Sequence, residues 1–402
     1  MRILLPFWHG VRERCFYQDF HRGVAEALRE LGHEPVQFPF TERGRLQRDE
    51  ADVLYRLIET AKPDAVFDLA CWGRGLSRIG VSFPNGLKGP LFDSFGIPYV
   101  GWLFDQPYNQ AINLVVSARL YAGYPDLGHP EQVRIAFPGL KLAGEIFAPP
   151  AIRPANDRSA EHGPDERDID VLYVGNLAHG ALDRSWNVGA GREKPLAYDA
   201  LFCDAVADAA LDRPDRSLHL SLQSAIAELG PMPSGLDVGA NLRVVENFLR
   251  HTFRRNAVTA LADSGVSMRV VGGGWDRAGL PANVDIGSET DYEGFFRLAG
   301  RAKICLDAST YLDGANDRVF SYALNGAVCF TNAAGFLRRD FGGDDGMRFY
   351  SMSNPSDLGD RVRSLLARPD AMRESGVGAR ATVLAGHTWR RRAEDILDRI
   401  RA

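Results

Sequence analysis

The residues with the most pointed chemistry lie in GANDRVFSYALNGAVCFT, residues 314–331. A polar loop runs into a short helix, Gly326 stops it, and an apolar strand follows. Asn316 or Asp317 is placed to cap the helix, and Gly326 sits where a C-cap belongs. Arg318 then falls in the first turn, where the positive end of the helix dipole disfavours a cation unless an anion offsets it. Free N–H groups together with an arginine make that turn a candidate diphosphate site. The alternative is a local ion pair of Arg318 with Asp313 or Asp317, worth at most about 1 kcal/mol.

Three further strand ends carry similar residue types. In YVGNLAHG (173–180) a strand closes on Gly175 and Asn176, and a glycine there lets backbone approach a ligand or simply make a turn. In VVGGGWDR (270–277), Gly273 and Gly274 permit close approach and Trp275 offers a wall for a base. The competing reading is a flexible turn with a packing tryptophan, since no helix opens directly after it as a dinucleotide fingerprint requires. In IGSETDYEGFFRLAG (286–300), the backbone around Gly287 and Ser288 is placed to meet a nucleobase, while Asp291 or Thr290 caps the next helix. Lys194 or Arg192, in NVGAGREKP, would add positive charge.

A general base would come from elsewhere. Asp105 follows the strand YVGWLF, where an apolar wall would raise a carboxyl pKa. His9, just after RILLPFW, is the second candidate; for each the alternative is a loop cap. Asp168-Ile169-Asp170 spells a metal-binding DxD, but it precedes the strand VLYV and so stands at the wrong strand end for catalysis. It reads as a polar lead-in. No His/Cys cluster has zinc spacing, so no metal and no cofactor is expected.

These residues need a scaffold that presents strand ends. RILLPF, FHRGVAEALRELGHEPVQF, DEADVLYRLIETAKPDAVFDLAC and GIPYVGWLF alternate strands with single amphipathic helices, the pattern of a parallel, doubly wound sheet. The Pro-, Ala- and charge-rich stretch 148–167 breaks the alternation and reads as a linker. A second alternating series begins at DIDVLYVGN, with a mainly helical segment at about 196–261. The expected domains are therefore 1–150, a linker at 151–167, 168–385, and a terminal helix at 386–402. In such sheets ligands bind outside the carboxyl ends of the strands, which is where the four stretches, Asp105 and His9 stand.

Composition agrees. At 402 residues the chain exceeds what one core usually organises. A net charge of −5 argues against a general nucleic-acid binder. The five cysteines show no CxxC pair, and those in apolar runs read as buried thiols. The first strand meets polar residues too soon for a signal peptide, and no apolar run approaches the roughly 20 residues that cross a bilayer. A cytoplasmic protein without a transmembrane segment is expected.

The order YVGN, VVGGGW, GANDRVFSYALNGAVCFT, FYSMSNPSDLGDRVRSLLARPD and GHTWRRRAEDIL resembles the nucleotide-sugar domain of two-domain (GT-B) glycosyltransferases, in particular the group-1-like transferases related to the spore maturation protein CgeB. The resemblance implies two Rossmann-like domains facing across a cleft, with the last helix crossing back to the N-terminal domain. It implies a metal-independent transfer of sugar from a nucleotide-sugar donor to a glycan, protein or small-molecule acceptor. Asp313, Gly314, Asn316, Asp317 and Arg318 match its donor loop; His387, Thr388, Trp389 and Arg392 match its terminal signature. Many relatives place glutamates where this chain has Asp313 and Ser321, which leaves the ribose contact without its usual carboxylate. A sugar-nucleotide epimerase or hydrolase, and a non-catalytic sugar-nucleotide-binding protein, are the competing readings.

Overall fold

A computed structural model describes residues 1–8, 16–41, 47–71, 91–110, 117–162, 164–184, 186, 197–332, 335–342 and 346–401. His9, Arg12, Arg14, Cys15, Arg192, Lys194, Asp344 and Asp345 lie outside the described residues. The chain divides into two units: Met1–Arg153 with Thr388–Ala402, and Pro154–His387.

The first unit is built on a six-stranded sheet of β1 (Arg2–Trp8), β2 (Glu34–Phe40), β3 (Ala65–Leu69), β4 (Tyr99–Trp102), β5 (Leu120–Tyr124) and β6 (Gly144–Phe147), ordered β2-β1-β3-β4-β5-β6. All its pairings are parallel. Every residue of AVFDL in β3 is buried, as expected of a central strand covered on both faces. The helix Phe16–Glu30 buries Tyr17, Phe20, Val24 and Leu28, a helical stripe that turns its apolar face inward. Gly23 on that helix lets the C-terminal helix Trp389–Arg401 come close: a Cβ there would stand 2.3 Å from the Trp389 indole. Trp389 is buried with ring centroids 4.9 Å from Phe20 and 5.5 Å from Trp102. Arg392 Nε donates to the Pro149 carbonyl at 3.1 Å.

The second unit holds β7 (Ile169–Val174), β8 (Met268–Val271), β9 (Val284–Gly287), β10 (Ala302–Asp307), β11 (Val328–Thr331) and β12 (Arg348–Phe349), ordered β12-β11-β10-β7-β8-β9 and all parallel. The strand order reverses between β7 and β10, so the crevice outside their carboxyl ends is a topological switch point. Three helices, Ala197–Asp212, Leu218–Leu229 and Val238–Asp263, fill most of the connection from β7 to β8.

The stretch read as a linker is mostly an ordered part of this unit. The Arg158 N–H donates to Asn325 Oδ1 at 2.7 Å, and the buried Arg167 guanidinium donates to the Ala302 and Asn325 carbonyls, each at 2.8 Å. Its polar residues satisfy backbone groups of the sheet and helix ends, a task that composition alone disguises as solvation. Asp168 and Asp170 stand at the start of β7, paired with Arg301 and Lys303, in keeping with a polar lead-in. Among the described residues no helix is long and apolar enough to cross a membrane.

Candidate functional site

The helix Asp317–Leu324 follows β10 through the loop 308–316. Asn316 caps it: its Oδ1 accepts the Arg318 N–H at 3.0 Å and the Val319 N–H at 3.4 Å. Its Nδ2 donates to Asp307 Oδ1 at 3.1 Å, so one side chain fixes both the helix start and the carboxylate ending β10. At the other end Gly326, at φ 72°, donates to the Ala323 carbonyl and Ala327 to that of Tyr322, the paired bonds of a Schellman cap.

Asp307 is buried, and it gathers Asn316, the Thr331 hydroxyl at 3.1 Å and Arg318 Nη2 at 3.3 Å. Arg318 therefore pairs with neither Asp313 nor Asp317. Its guanidinium reaches back to the switch point, donating also to the Val174 carbonyl at 3.3 Å. Burial works against its charge, yet Asp307 and its neighbours outweigh that and raise its pKa. Burial pushes the Asp317 carboxyl up, and Arg318 and the Tyr292 hydroxyl, which donates at 3.0 Å, oppose this.

Two more arginines arrive from the long helix Val238–Asp263. Glu246, Arg250 and Arg254 recur every four residues, so they share one helical face. Glu246 is buried and accepts Arg250 Nε at 2.8 Å and the Thr310 hydroxyl at 2.9 Å. Arg254 Nη1 donates to the Asn176 carbonyl at 3.0 Å, while its Nε is buried without a hydrogen-bond partner. Among the described residues it pairs with no carboxylate. Burial lowers its pKa, and the charges of Arg318 and Arg250 lower it further. The Tyr173 hydroxyl, also buried without a hydrogen bond, feels both Arg254 and Arg318. The cluster thus sets Arg250, Arg254 and Arg318 among the carboxylates Glu246, Asp307 and Asp317, with Arg254 outside every ion pair among the described residues.

The glycine-rich turns brace this cluster. Gly272 and Gly274 adopt φ of 146° and 86°. A Cβ on Gly272 would meet the Gly175 carbonyl oxygen at 2.5 Å, and one on Gly274 the Leu177 oxygen at 2.0 Å. Asn176 Oδ1 accepts the Gly273 N–H at 2.9 Å. A Cβ on Gly175 would lie 3.3 Å from Arg318 Nη1. In the structure these glycines admit each other and an arginine.

Trp275 corrects an expectation. It is 0% exposed and donates Nε1–H to the Gly175 carbonyl at 2.6 Å, so the indole is a strut under the turn and not a wall for a base. Ser321 is 2% exposed and, in this structure, shows no surface to a ribose. Gly314 is buried in the loop before the helix, and Asp313 Oδ1 lies where a Cβ of Gly335 would be, 2.2 Å away. Gly287 and Ser288 line a cavity of about 360 Å³ with Val271, Glu289, Thr290 and Arg269, one strand further along the sheet. Asp291 caps the helix Tyr292–Arg301 through the Gly294 N–H at 2.7 Å. Asp105 belongs to the other unit, follows β4, and accepts the Gln106 N–H at 2.8 Å. His387 stacks on Phe320 at 4.5 Å.

The strand-end reading thus brings Gly175, Asn176, Gly273, Gly274, Asn316, Asp317 and Arg318 together, and it missed Asp307, Glu246, Arg250 and Arg254. The signal for the last three was the four-residue spacing in ENFLRHTFR.

Residues 250–398 match the sequence model of a family described as glycosyl transferase-like. No curated protein sequence matches the chain. Among solved structures the whole chain is similar to an alpha-glucosyltransferase in complex with UDP and a mismatched 13-mer DNA (11% identity, all of that chain covered, TM-score 0.55). It is likewise similar to sucrose-phosphate synthase from Thermosynechococcus elongatus (11%, 98% covered, TM-score 0.51). HepE of Anabaena in complex with UDP-glucose is a third (10%, 99% covered, TM-score 0.51). At this identity the likeness is one of fold: the two parallel six-stranded sheets are those of GT-B glycosyltransferases.

Proposed function

We propose that the chain is a glycosyltransferase whose second unit binds a nucleotide-sugar donor at the β7/β10 switch point. The transferase class rests on the matched domain and the shared fold. The single observation that carries the site is the guanidinium cluster, in which Arg254 pairs with no carboxylate among the described residues and keeps its Nε buried and unbonded. Cleavage of a glycosyl–phosphate bond leaves negative charge on a nucleoside diphosphate. Fixed cations and the N-terminus of the Asp317–Leu324 helix, already in place, stabilise that charge without reorganising at the moment of reaction. On this reading the guanidiniums meet the charge that a metal would otherwise meet, and the transfer is metal-independent. Gly287 and Ser288, with the cavity beside them, are the proposed contacts for the nucleobase. Asp105 is the proposed base for an acceptor hydroxyl of a glycan, protein or small molecule. The DGANDR loop and the HTW segment support placement among the CgeB-like transferases.

Calorimetry with a panel of nucleoside diphosphates tests the site. Arg254→Met is expected to weaken the best binder about ten-fold or more, the scale of a hydrogen bond to a charged group. It should not lower Tm, because the empty protein bears the cost of burying that charge. Unchanged affinity in a folded variant overturns the assignment. Arg318→Ala also loses affinity, but it strips Asp307 of its cation and is expected to cost stability as well.

A further inference from the structure

The second sheet carries another cavity, of about 420 Å³, over β11 and β12, and it shares no residue with the donor cluster. Its polar lining is Arg348, Arg361, Arg368, Ser364 and Asp360, over Phe330 and Leu365. Phe330 and Leu365 are buried and give the floor an apolar surface. The helix Leu358–Leu366 sets Arg361, Ser364 and Leu365 on one face, and Arg368 lies just past its end, before the helix Pro369–Gly386.

Arg361 and Arg368 are held by groups other than carboxylates, and Arg348 binds a hydroxyl. Arg348 Nη2 donates to Ser375 Oγ at 2.7 Å. Arg368 Nε donates to the Ser364 carbonyl at 3.1 Å. Arg361 lies over the Phe330 ring, 5.9 Å from its centroid, a cation–π placement. Asp360, the one acid in the lining, is engaged by Arg363. Among the described residues neither Arg361 nor Arg368 forms an ion pair. The cavity therefore collects two guanidiniums without an ion pair among the described residues, Arg361 and Arg368, whose mutual repulsion an anion would reverse. Planar forks match the oxygens of a phosphate group.

We propose that this cavity is a second anion site, which takes a phosphate monoester carried by a soluble metabolite or by a lipid headgroup. The guanidiniums hold the phosphate oxygens, and the Phe330–Leu365 floor meets the apolar side of the body attached to them.

Calorimetric titration of the full chain with glycerol phosphate, and flotation with phosphatidylcholine vesicles with and without phosphatidic acid, test it. Saturable binding of one probe is expected in the parent and in Arg254→Met. It is expected to weaken about ten-fold or more in Arg361→Gln/Arg368→Gln. Glycerol phosphate binding assigns a soluble source, and vesicle binding that depends on phosphatidic acid assigns a headgroup. Equal affinity in the folded double variant, loss in Arg254→Met alone, or no saturable binding of either probe overturns the proposal. Should the double variant lose its fold, Arg368→Gln alone gives the same reading, because that side chain is exposed.

Discussion

Among single residues, His251 shows most directly what the arginine cluster costs. It sits beside Arg250 and Arg254 on the long helix, buried, with Nδ1 accepting the Ala178 N–H at 3.2 Å. Burial lowers its pKa from 6.5 to about 4, and the two arginines deepen the shift. The unfolded chain takes up this proton below about 6.5, while the native protein refuses it until about 4. Stability is therefore expected to fall as pH drops through that window, because the unfolded state binds more protons there. His21, also buried, is lowered to about 4 in the first unit and adds to the same loss. His251→Asn keeps an acceptor for Ala178 and removes one titration. The fall in Tm between about pH 7 and about pH 5 is expected to be smaller in this variant than in the parent. Equal falls would assign the acid sensitivity to other groups.

The element that decides the site is the join between β10 and the Asp317–Leu324 helix, where Asn316 serves both sides. Its Oδ1 caps the helix and its Nδ2 feeds Asp307. Aspartate caps helices as well as asparagine does in general. Here it would set a second carboxylate against a buried one, so Asn316→Asp is expected to destabilise more than a cap comparison allows. Urea unfolding should rank parent, then Asn316→Ser, then Asn316→Asp, with the last recovering some stability as pH falls and a carboxylate protonates. An Asn316→Asp variant as stable as the parent would remove the link between cap and carboxylate. The cap was legible from GANDRVF because capping is local chemistry, and so were Gly326 and the Asp291 cap. The partner of Arg318 was not. Asp307 meets it only once the loop folds back over the strand end, and the sequence-near acids Asp313 and Asp317 drew the pairing to themselves. Arg254 was harder still, since its face of the long helix gains meaning only from the switch point it overlooks. Trp275 stood open between two readings for the same reason: a tryptophan after glycines is a wall or a packed strut according to what backs it.

At the scale of the whole molecule, alternating strands and helices made both sheets legible, while the role of the 154–167 stretch was not, because its structural bonds run to distant backbone. The chain passes from one unit to the other twice, after Arg153 and after His387. Ile152 and Thr388 form a parallel bridge, so the outgoing and returning strands lie side by side within the first unit. One unit is thus continuous and the other is closed only by the last helix. Trp389 accounts for much of that closure, being buried among Phe20, Trp102 and Phe104. Trp389→Ala is expected to destabilise the first unit by about 3–5 kcal/mol, the range for emptying a large aromatic site, and to leave the second unit's transition in place. The fragment Pro154–His387 should fold alone with a cooperative transition and retain nucleoside-diphosphate binding. Residues 1–153 alone would expose Phe20, Trp102 and Phe104, and are expected to lose near-UV circular dichroism and to bind a hydrophobic dye. Adding a peptide of residues 388–402 should restore part of that signal. A fragment 1–153 that unfolds as cooperatively as the parent's first unit would show that the last helix decorates that core and does not complete it.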